Sequence, residues 1–266
     1  MVRNCFLISV ICTIPFWVQA AVNTLGIQSQ MDPWLQLLLA TVAQFGAGWI
    51  IYKGAVDFFS NPNSWQDLII ALGSTAAYGL SIGLLVAGLT LDLYFISSSS
   101  LITFFLCGKW MEKSIENDEK EPFTLLRMEG ARLANKVSSR FTIAILVLGI
   151  FTDLYWEGLK GIVYALGILI IACPSMLSLA IPSIMVVAKK MADGVSEDDF
   201  QDLLTATKGK IKQNLLIVFA FQALGIPIAM LGLLNSSIVT GTMVMSFLAL
   251  AANSLLLGYW KPEGNR

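Results

Sequence analysis

Long apolar stretches, separated by short polar connections, run through the whole of this sequence. Each stretch is about as long as the ~20 residues that an α-helix needs to cross the hydrocarbon core of a bilayer. The pattern therefore predicts an all-α membrane protein with eight transmembrane helices. These helices are predicted over residues 4–22, 33–53, 66–89, 92–112, 139–159, 162–188, 212–233 and 236–258.

Composition supports the same class of protein. Hydrophobic residues make up 56% of the chain, charged residues make up 13%, and the mean hydropathy is +0.72. In a soluble domain, charged residues are roughly a quarter of the total. The chain is thus predicted to be an integral membrane protein whose main surroundings are a lipid bilayer.

Basic residues indicate how the helices are oriented. If the N-terminus lies inside, every Lys and Arg except Lys160 falls on the inner side, in agreement with the positive-inside rule. An even number of helices then predicts that both termini are cytoplasmic, or on the equivalent matrix or stromal side. The alternative is a cleaved signal peptide at residues 4–22, which would leave seven helices and spoil this charge distribution.

Two internal polar segments, residues 114–136 and 189–212, are the longest predicted cytoplasmic connections. Each is too short to bury a catalytic core of its own, although either could form one or two amphipathic turns. The acidic cluster at residues 197–199 is predicted to be a solvated loop face or a helix start. Residues 1–266 are therefore predicted to form a single transmembrane domain.

The types of polar residue restrict the possible chemistry. The chain contains no histidine, which excludes a histidine-based zinc or haem site and a Ser-His-Asp triad. Its four cysteines lie within or beside predicted helices, so they do not indicate a disulfide framework. Net charge is −1, which gives no support for nucleic-acid binding.

One cysteine has an unusual setting. Cys173 and Pro174 lie together inside a long apolar run. Proline removes a backbone hydrogen bond and kinks a helix, and a soft thiolate at such a break suits Cu(I) better than a hard cation. A purely structural kink is the alternative interpretation.

Several short strings, in order along the chain, resemble the membrane domain of copper-transporting P-type ATPases, the heavy-metal class of these pumps. In particular, IIACPSMLSLAIP resembles the I-I-A-C-P-C-A-L-G-L-A-T-P segment of that family. The strings that carry the resemblance are Phe45–Ala55, Asp67–Tyr78, Gly108–Glu112, Leu133–Ser138, Ile170–Pro182, Lys210–Leu215, Gly225–Pro227 and Met243–Leu255.

The resemblance implies that the soluble domains of such a pump are absent. The family places its actuator domain where residues 114–136 lie, and its phosphorylation and nucleotide domains where residues 189–212 lie. None of the motifs D-K-T-G-T, T-G-E and G-D-G-x-N-D occurs in this sequence. The chain is therefore expected not to be an enzyme and not to bind ATP.

The resemblance also implies a metal path that has lost part of its ligands. The second cysteine of the family's Cys-Pro-Cys is Ser175 here, and the Tyr-Asn pair of the seventh helix aligns with Phe221 and Gln222. Met243 is retained, but its serine partner aligns with Phe247. Such apolar replacements would be expected if an unused polar cavity had been filled.

The remaining candidate metal ligands form two sets. At mid-membrane, we expect Cys173 and Met243 to hold Cu(I), with Met176 and Gln222 as neighbours. At the inner face, Met111 and Glu112 are expected to receive the ion. No catalytic residues are predicted.

Three functions remain open on the sequence alone. The first is copper(I) handling or transport without ATP hydrolysis, with a copper donor as partner. The second is that of a pseudo-pump reused as a structural or regulatory subunit of a larger membrane complex, with other membrane-protein subunits as partners. The third alternative is the membrane half of a split pump, served by soluble domains on another polypeptide.

Overall fold

The computed structural model describes residues 1–24, 31–58, 65–89, 92–116, 121–156, 158–172, 175–192, 195–233 and 236–260. These residues are helical and include no strand, which confirms the predicted all-α class. The helices are α1 Val2–Thr24, α2 Pro33–Thr41, α3 Trp49–Asp57, α4 Trp65–Val86, α5 Phe95–Glu116, α6 Glu121–Trp156, α7 Gly158–Ile171, α8 Leu177–Ala180, α9 Pro182–Ala192, α10 Glu197–Met230 and α11 Ser236–Leu256.

Four of the described helices are long and apolar enough to cross a membrane, and they lie within α1, α4, α10 and α11. A fifth span is obtained if the bent pair Pro33–Ala47 and Trp49–Asp57 is counted as one. The predicted count of eight is not confirmed. Helix α5 contains four consecutive serines and several charged residues, which lower its mean hydropathy, and α7 is only 14 residues long. The chain is an integral membrane protein.

The predicted helix over residues 33–53 is bent. Helix α2 continues into a π-helical segment, Val42–Ala47, and the axis then turns by 48° into α3. A Cβ atom on Gly48 would lie 2.2 Å from the carbonyl oxygen of Gln44, so the bend requires glycine at this position. The amide nitrogen of Gln44 donates a hydrogen bond to Ser74 Oγ at 3.1 Å, and its Oε1 accepts one from Ser98 Oγ at 2.8 Å. These bonds fix the bend against α4 and α5.

Helices α6 and α10 run in parallel along most of their length. Residues 121–136 and 197–212, predicted as connections, belong to these two helices and extend them beyond their apolar parts. Four contacts join the two helices from one end to the other. Two are between aromatic rings: Phe123 with Phe200 at 5.4 Å and Phe141 with Phe219 at 5.5 Å, both between ring centroids. The other two are the ion pair of Glu129 with Lys208 at 2.8 Å and a hydrogen bond from Trp156 Nε1 to Met230 O at 2.9 Å.

One end of the helix bundle carries most of the charged contacts, and we call it the charged end. Lys208 donates to Glu129 there, Arg127 pairs with Glu112, and Lys189 Nζ donates to the carbonyl oxygen of Ile115 at 3.4 Å. Because Lys208 binds the Glu129 carboxylate, the pKa of Glu129 is held below its ordinary value.

The predicted helix over residues 162–188 is interrupted. Helix α7 ends at Ile171, the single turn α8 follows at Leu177–Ala180, and α9 begins at Pro182. Because Pro182 has no N–H group, it cannot continue the hydrogen-bond pattern of α8. Past the break, Ile184 N donates to Ile181 O and not to Ala180 O. The carbonyl oxygen of Ala180 accepts from Asn214 Nδ2 of α10 at 2.9 Å.

Asn214 is the centre of a buried polar cluster that joins three helices. Its Nδ2 also lies 3.1 Å from Ser254 Oγ, and its Oδ1 accepts from Asn253 Nδ2 at 2.7 Å. Lys210 Nζ donates to the Oδ1 of the same Asn253 at 2.9 Å. This cluster holds α10 and α11 against the interrupted helix.

Replacing Asn214 by alanine would leave the Ala180 carbonyl and the Asn253 amide without this partner. We expect the Asn214→Ala protein to lose about 2 kcal/mol of stability, since buried polar groups would be left unsatisfied. Gln213 is exposed on the same helix, so Gln213→Ala is the matched control and should change little. Thermal unfolding in detergent measures both variants, and equal midpoints would contradict this role of Asn214.

Candidate metal centre

A small cavity lies where the interrupted helix meets α10 and α11. Its volume is about 20 Å³, which is enough for roughly one water molecule or one ion. The side chains around it include two thioethers, three polar groups and three apolar groups. They are Met176 and Met243, then Gln222, Thr242 and Ser246, then Ile171, Val218 and Phe221.

Three of the predicted metal ligands are brought together at this small cavity. Met176, Gln222 and Met243 all line it, although they come from three different parts of the chain. Each is only 5% exposed. Cys173 lies outside the described residues. The Nε2 of Gln222 lies 3.4 Å from the carbonyl oxygen of Ala172, so the chain reaches the edge of the cavity immediately before Cys173.

Two oxygen atoms on the lining side chains have no hydrogen-bond partner among the residues that the structure describes. They are Gln222 Oε1 and Ser246 Oγ, and both are buried. A buried acceptor or hydroxyl without a partner costs about 1–3 kcal/mol. A cation or a water molecule in the cavity would satisfy both atoms.

The chemistry of the lining favours a soft monovalent cation. Thioether sulfur is a soft ligand that selects Cu(I) over hard cations. The oxygen donors of Gln222, Thr242 and Ser246 are neutral, and the described residues of the lining include no carboxylate. Over the described part of the chain, no group of three or more His, Cys, Asp and Glu residues could hold a metal ion.

Ser246 was not predicted from the sequence. It follows Met243 by three residues on α11, so both lie on the same face of the helix, and this spacing is the signal that could have identified it. Phe247, which aligns with the family's serine, is not part of the lining. Its ring lies 5.1 Å from that of Phe104, measured between centroids. Phe221, by contrast, does border the cavity.

The two residues predicted to receive the ion lie apart from the small cavity. Glu112 borders a second cavity of about 230 Å³ at the charged end, which we call the charged cavity. Arg127 Nη1 lies 3.3 Å from Glu112 Oε1, and Lys109 Nζ lies 2.6 Å from Asp67 Oδ1 in the same cavity. Met111 is partly buried against the hydrophobic core and does not line either cavity.

The interrupted helix separates the two cavities. Met176 borders the small cavity, whereas the next residue, Leu177, borders the charged cavity together with Ser178, Ile181 and Pro182. A Cβ atom on Gly108 would lie 2.8 Å from the carbonyl oxygen of Ser178, so α5 packs directly on the backbone of this segment. Adjacent residues of the interrupted helix, Met176 and Leu177, thus border two different cavities.

The unpaired hydroxyl of Ser246 provides a test of the small cavity. We expect Ser246→Ala to stabilise the metal-free protein by about 1 kcal/mol, because a buried unsatisfied group is removed. The same change should reduce the stabilisation that added Ag(I), a soft monovalent ion, gives to the protein. Thermal unfolding with and without Ag(I) measures both effects.

Ser254→Ala is the control for this variant on the same helix. Its hydroxyl donates to Leu250 O at 2.8 Å and is therefore satisfied. The Ser254→Ala change should destabilise the protein, and it should leave the stabilisation by added Ag(I) unaltered. If Ag(I) stabilises both variants equally, the Ser246 hydroxyl does not take part in binding the ion.

Comparisons with known proteins find relatives over part of this chain. The chain is 38% identical over 114 residues to a copper-exporting P-type ATPase of Staphylococcus saprophyticus, covering 40% of this chain and 14% of that protein. It is 35% identical over 112 residues to the copper-exporting P-type ATPase of Bacillus subtilis, again covering 40% of this chain and 14% of the relative. For the protein of that name in Staphylococcus aureus strain Newman, identity is 41% over 86 residues, which is 30% of this chain and 11% of the relative.

These relatives are much longer than the region they share with this chain. The chain spans about one seventh of the length of the first of them, with 14% covered. No family model matches the chain, and no solved structure matches it. The predicted resemblance is confirmed by the curated relatives: over about two fifths of its length, this chain is similar to the copper-exporting P-type ATPases.

Proposed function

We propose that this chain handles copper(I) within a membrane and does so without hydrolysing ATP. The single observation that carries the proposal is the small cavity, where two buried thioethers surround a space that fits one ion. Two oxygen atoms of the same lining have no hydrogen-bond partner in the described part of the chain. The names of the relatives point to the same metal. Copper is the cargo in this proposal, and ATP plays no part in it.

Cys173 supplies the charge that the cavity lacks. The chain around it, Ala172 on one side and Met176 on the other, borders the cavity or contacts its lining. One thiolate and one Cu(I) ion together are neutral, which lowers the cost of burying both in a medium of low dielectric constant. In this arrangement Cys173 and Met243 bind the ion, and Met176, Gln222 and Ser246 complete its surroundings.

Eight transmembrane helices form the bundle in this proposal, with both termini on the cytoplasmic side. The eight-helix arrangement counts α2 and α3 as one bent span, and α7, α8 and α9 as one interrupted span. Helices α5 and α6 then supply the two remaining spans, and α6 extends beyond the bilayer at the charged end. The positive-inside distribution of Lys and Arg supports this orientation.

A second function, as a structural subunit of a larger membrane complex, is favoured by the aromatic packing around α11. Phe247, which the resemblance aligns with a serine, packs against Phe104 with the two rings tilted by 32°. Phe221 borders the small cavity. Both residues fill space that a transport path would need. This alternative predicts a chain without metal inside a stable assembly.

Purification from the native membrane in mild detergent separates the two functions. Particle mass and copper per chain are measured in the same fraction. About one copper per chain in a small particle supports copper handling, whereas a metal-free chain in a large assembly supports the structural alternative. An ATPase partner that co-purifies would instead indicate half of a split pump.

The copper ligands are tested by substitution. We expect Cys173→Ala to reduce bound copper to near zero, and Met243→Leu to lower the affinity by at least about tenfold, since each removes a soft ligand. Cys12→Ala is the control, because Cys12 is a buried free thiol on α1, away from the cavity. Copper content unchanged by Cys173→Ala would overturn the proposed function.

A further inference from the structure

An open cavity lies between the start of α1 and the last turns of α5, and we call it the basic groove. Its volume is about 450 Å³. Each of the two helices contributes one wall of it. The residues of these walls are Val2, Arg3 and Asn4 of α1 and Trp110, Lys113 and Ser114 of α5.

The described lining of the basic groove carries two cations and no carboxylate. Arg3 and Lys113 are both exposed, and neither side chain has an ion-pair or hydrogen-bond partner among the described residues. The indole N–H of Trp110 is likewise without a partner in this part of the chain. Glu112, the neighbour of Lys113, borders the charged cavity instead. Three donors at one groove are therefore available to a ligand with anionic oxygen atoms.

Aromatic stacking holds the two walls of the basic groove together. Phe6 of α1 stacks on Trp110 of α5, with 5.4 Å between ring centroids and 12° between the ring planes. Deeper in the bundle, Thr13 Oγ1 and Thr103 Oγ1 join the same two helices by a hydrogen bond of 2.8 Å. The two cations are therefore carried by helices whose relative position is fixed by packing.

Next to the basic groove, the exposed face of α1 is apolar. Leu7 and Ile11 follow Arg3 at intervals of four residues, and they are 50% and 69% exposed. Val18 is exposed on the same face. These side chains lie within the candidate membrane span Val2–Asn23, and Arg3 lies at one end of it. A ligand that matches this face needs an anionic head and apolar chains, which is the make-up of an anionic phospholipid.

We propose that the basic groove binds the phosphate group of an anionic phospholipid, whose acyl chains lie along the exposed face of α1. The Arg3 guanidinium is a fork of donors that suits phosphate oxygens, and Lys113 adds a second positive charge from the other wall. Trp110 N–H is the third donor, at the depth where indole groups meet lipid headgroups. A zwitterionic lipid binds less tightly, because its own cation is repelled by the two basic side chains.

The double substitution R3Q/K113Q is the test variant. Both side chains are exposed and unpaired, so their replacement removes two charges without leaving a buried group unsatisfied. The full-length protein in mild detergent is titrated with phosphatidylglycerol or with phosphatidylcholine, and native mass spectrometry counts the lipids bound per chain. The matched control is K53Q/R132Q, which removes one lysine and one arginine that are also exposed and lie outside the basic groove.

We expect the unaltered protein to bind phosphatidylglycerol about 25-fold more tightly than phosphatidylcholine, with about fivefold from each cation. The R3Q/K113Q protein should bind the two lipids about equally, whereas K53Q/R132Q should keep the preference. Equal affinity of the unaltered protein for both lipids would overturn the proposal. So would a preference that survives in R3Q/K113Q, or one that is lost to the same extent in the control.

The same experiment distinguishes a lipid from a free phosphate compound. Glycerol 1-phosphate has the phosphate group but no acyl chains, and each buried CH₂ group of an acyl chain adds to the affinity. We therefore expect it to displace phosphatidylglycerol only at concentrations at least about a hundredfold higher. Displacement at equal concentration would overturn the lipid as the occupant. A dimer of this chain that dissociates in R3Q/K113Q would do the same, since a second copy would then occupy the groove.

Discussion

Hydrogen bonding of the interrupted helix is the constraint on which the rest of this bundle depends. Inside a bilayer, every backbone polar group must find a partner within the protein, so a helix break is tolerated only where side chains supply donors. Helix α10 supplies two of them, about two turns apart. Asn214 donates to Ala180 O, and Gln222 lies within reach of Ala172 O at the other side of the break. The same helix thus supports the break at both ends and places an amide oxygen at the small cavity between them.

The two cavities differ in charge because they are built from different parts of the bundle. The charged cavity lies among the ends of α4, α5 and α6, where basic and acidic side chains can reach water. Side chains at mid-bundle form the small cavity, and all of its described lining groups are neutral. A bilayer protein tolerates charges easily only near its ends, so this division follows from the cost of burying an ion. The described side chains around the small cavity thus offer sulfur and neutral oxygen atoms, whereas those around the charged cavity include both carboxylates and cations.

Several residues of the candidate site could be predicted from the sequence, but the side chains that they contact could not. Met176, Gln222 and Met243 do surround one cavity, because the motifs of the resemblance fix which helix faces meet there. The pairing of Glu112 with Arg127 was not predicted, since it depends on the first turns of α6, which were expected to be a connection. Residues 121–136 appeared to be a connection because their polar composition hides a helix that packs against α10. Ser246 was missed because alignment with the family pointed to Phe247, whose ring contacts α5 instead.

The parallel pair of α6 and α10 has a mechanical consequence. Helices of 36 and 34 residues are each about 50 Å long, and contacts at both ends hold them side by side. Arg127 lies on one member of the pair, while Asn214 and Gln222 lie on the other. Because contacts at both ends join the two helices, a tilt of the pair at the charged end would displace Arg127 and the two side-chain amides together.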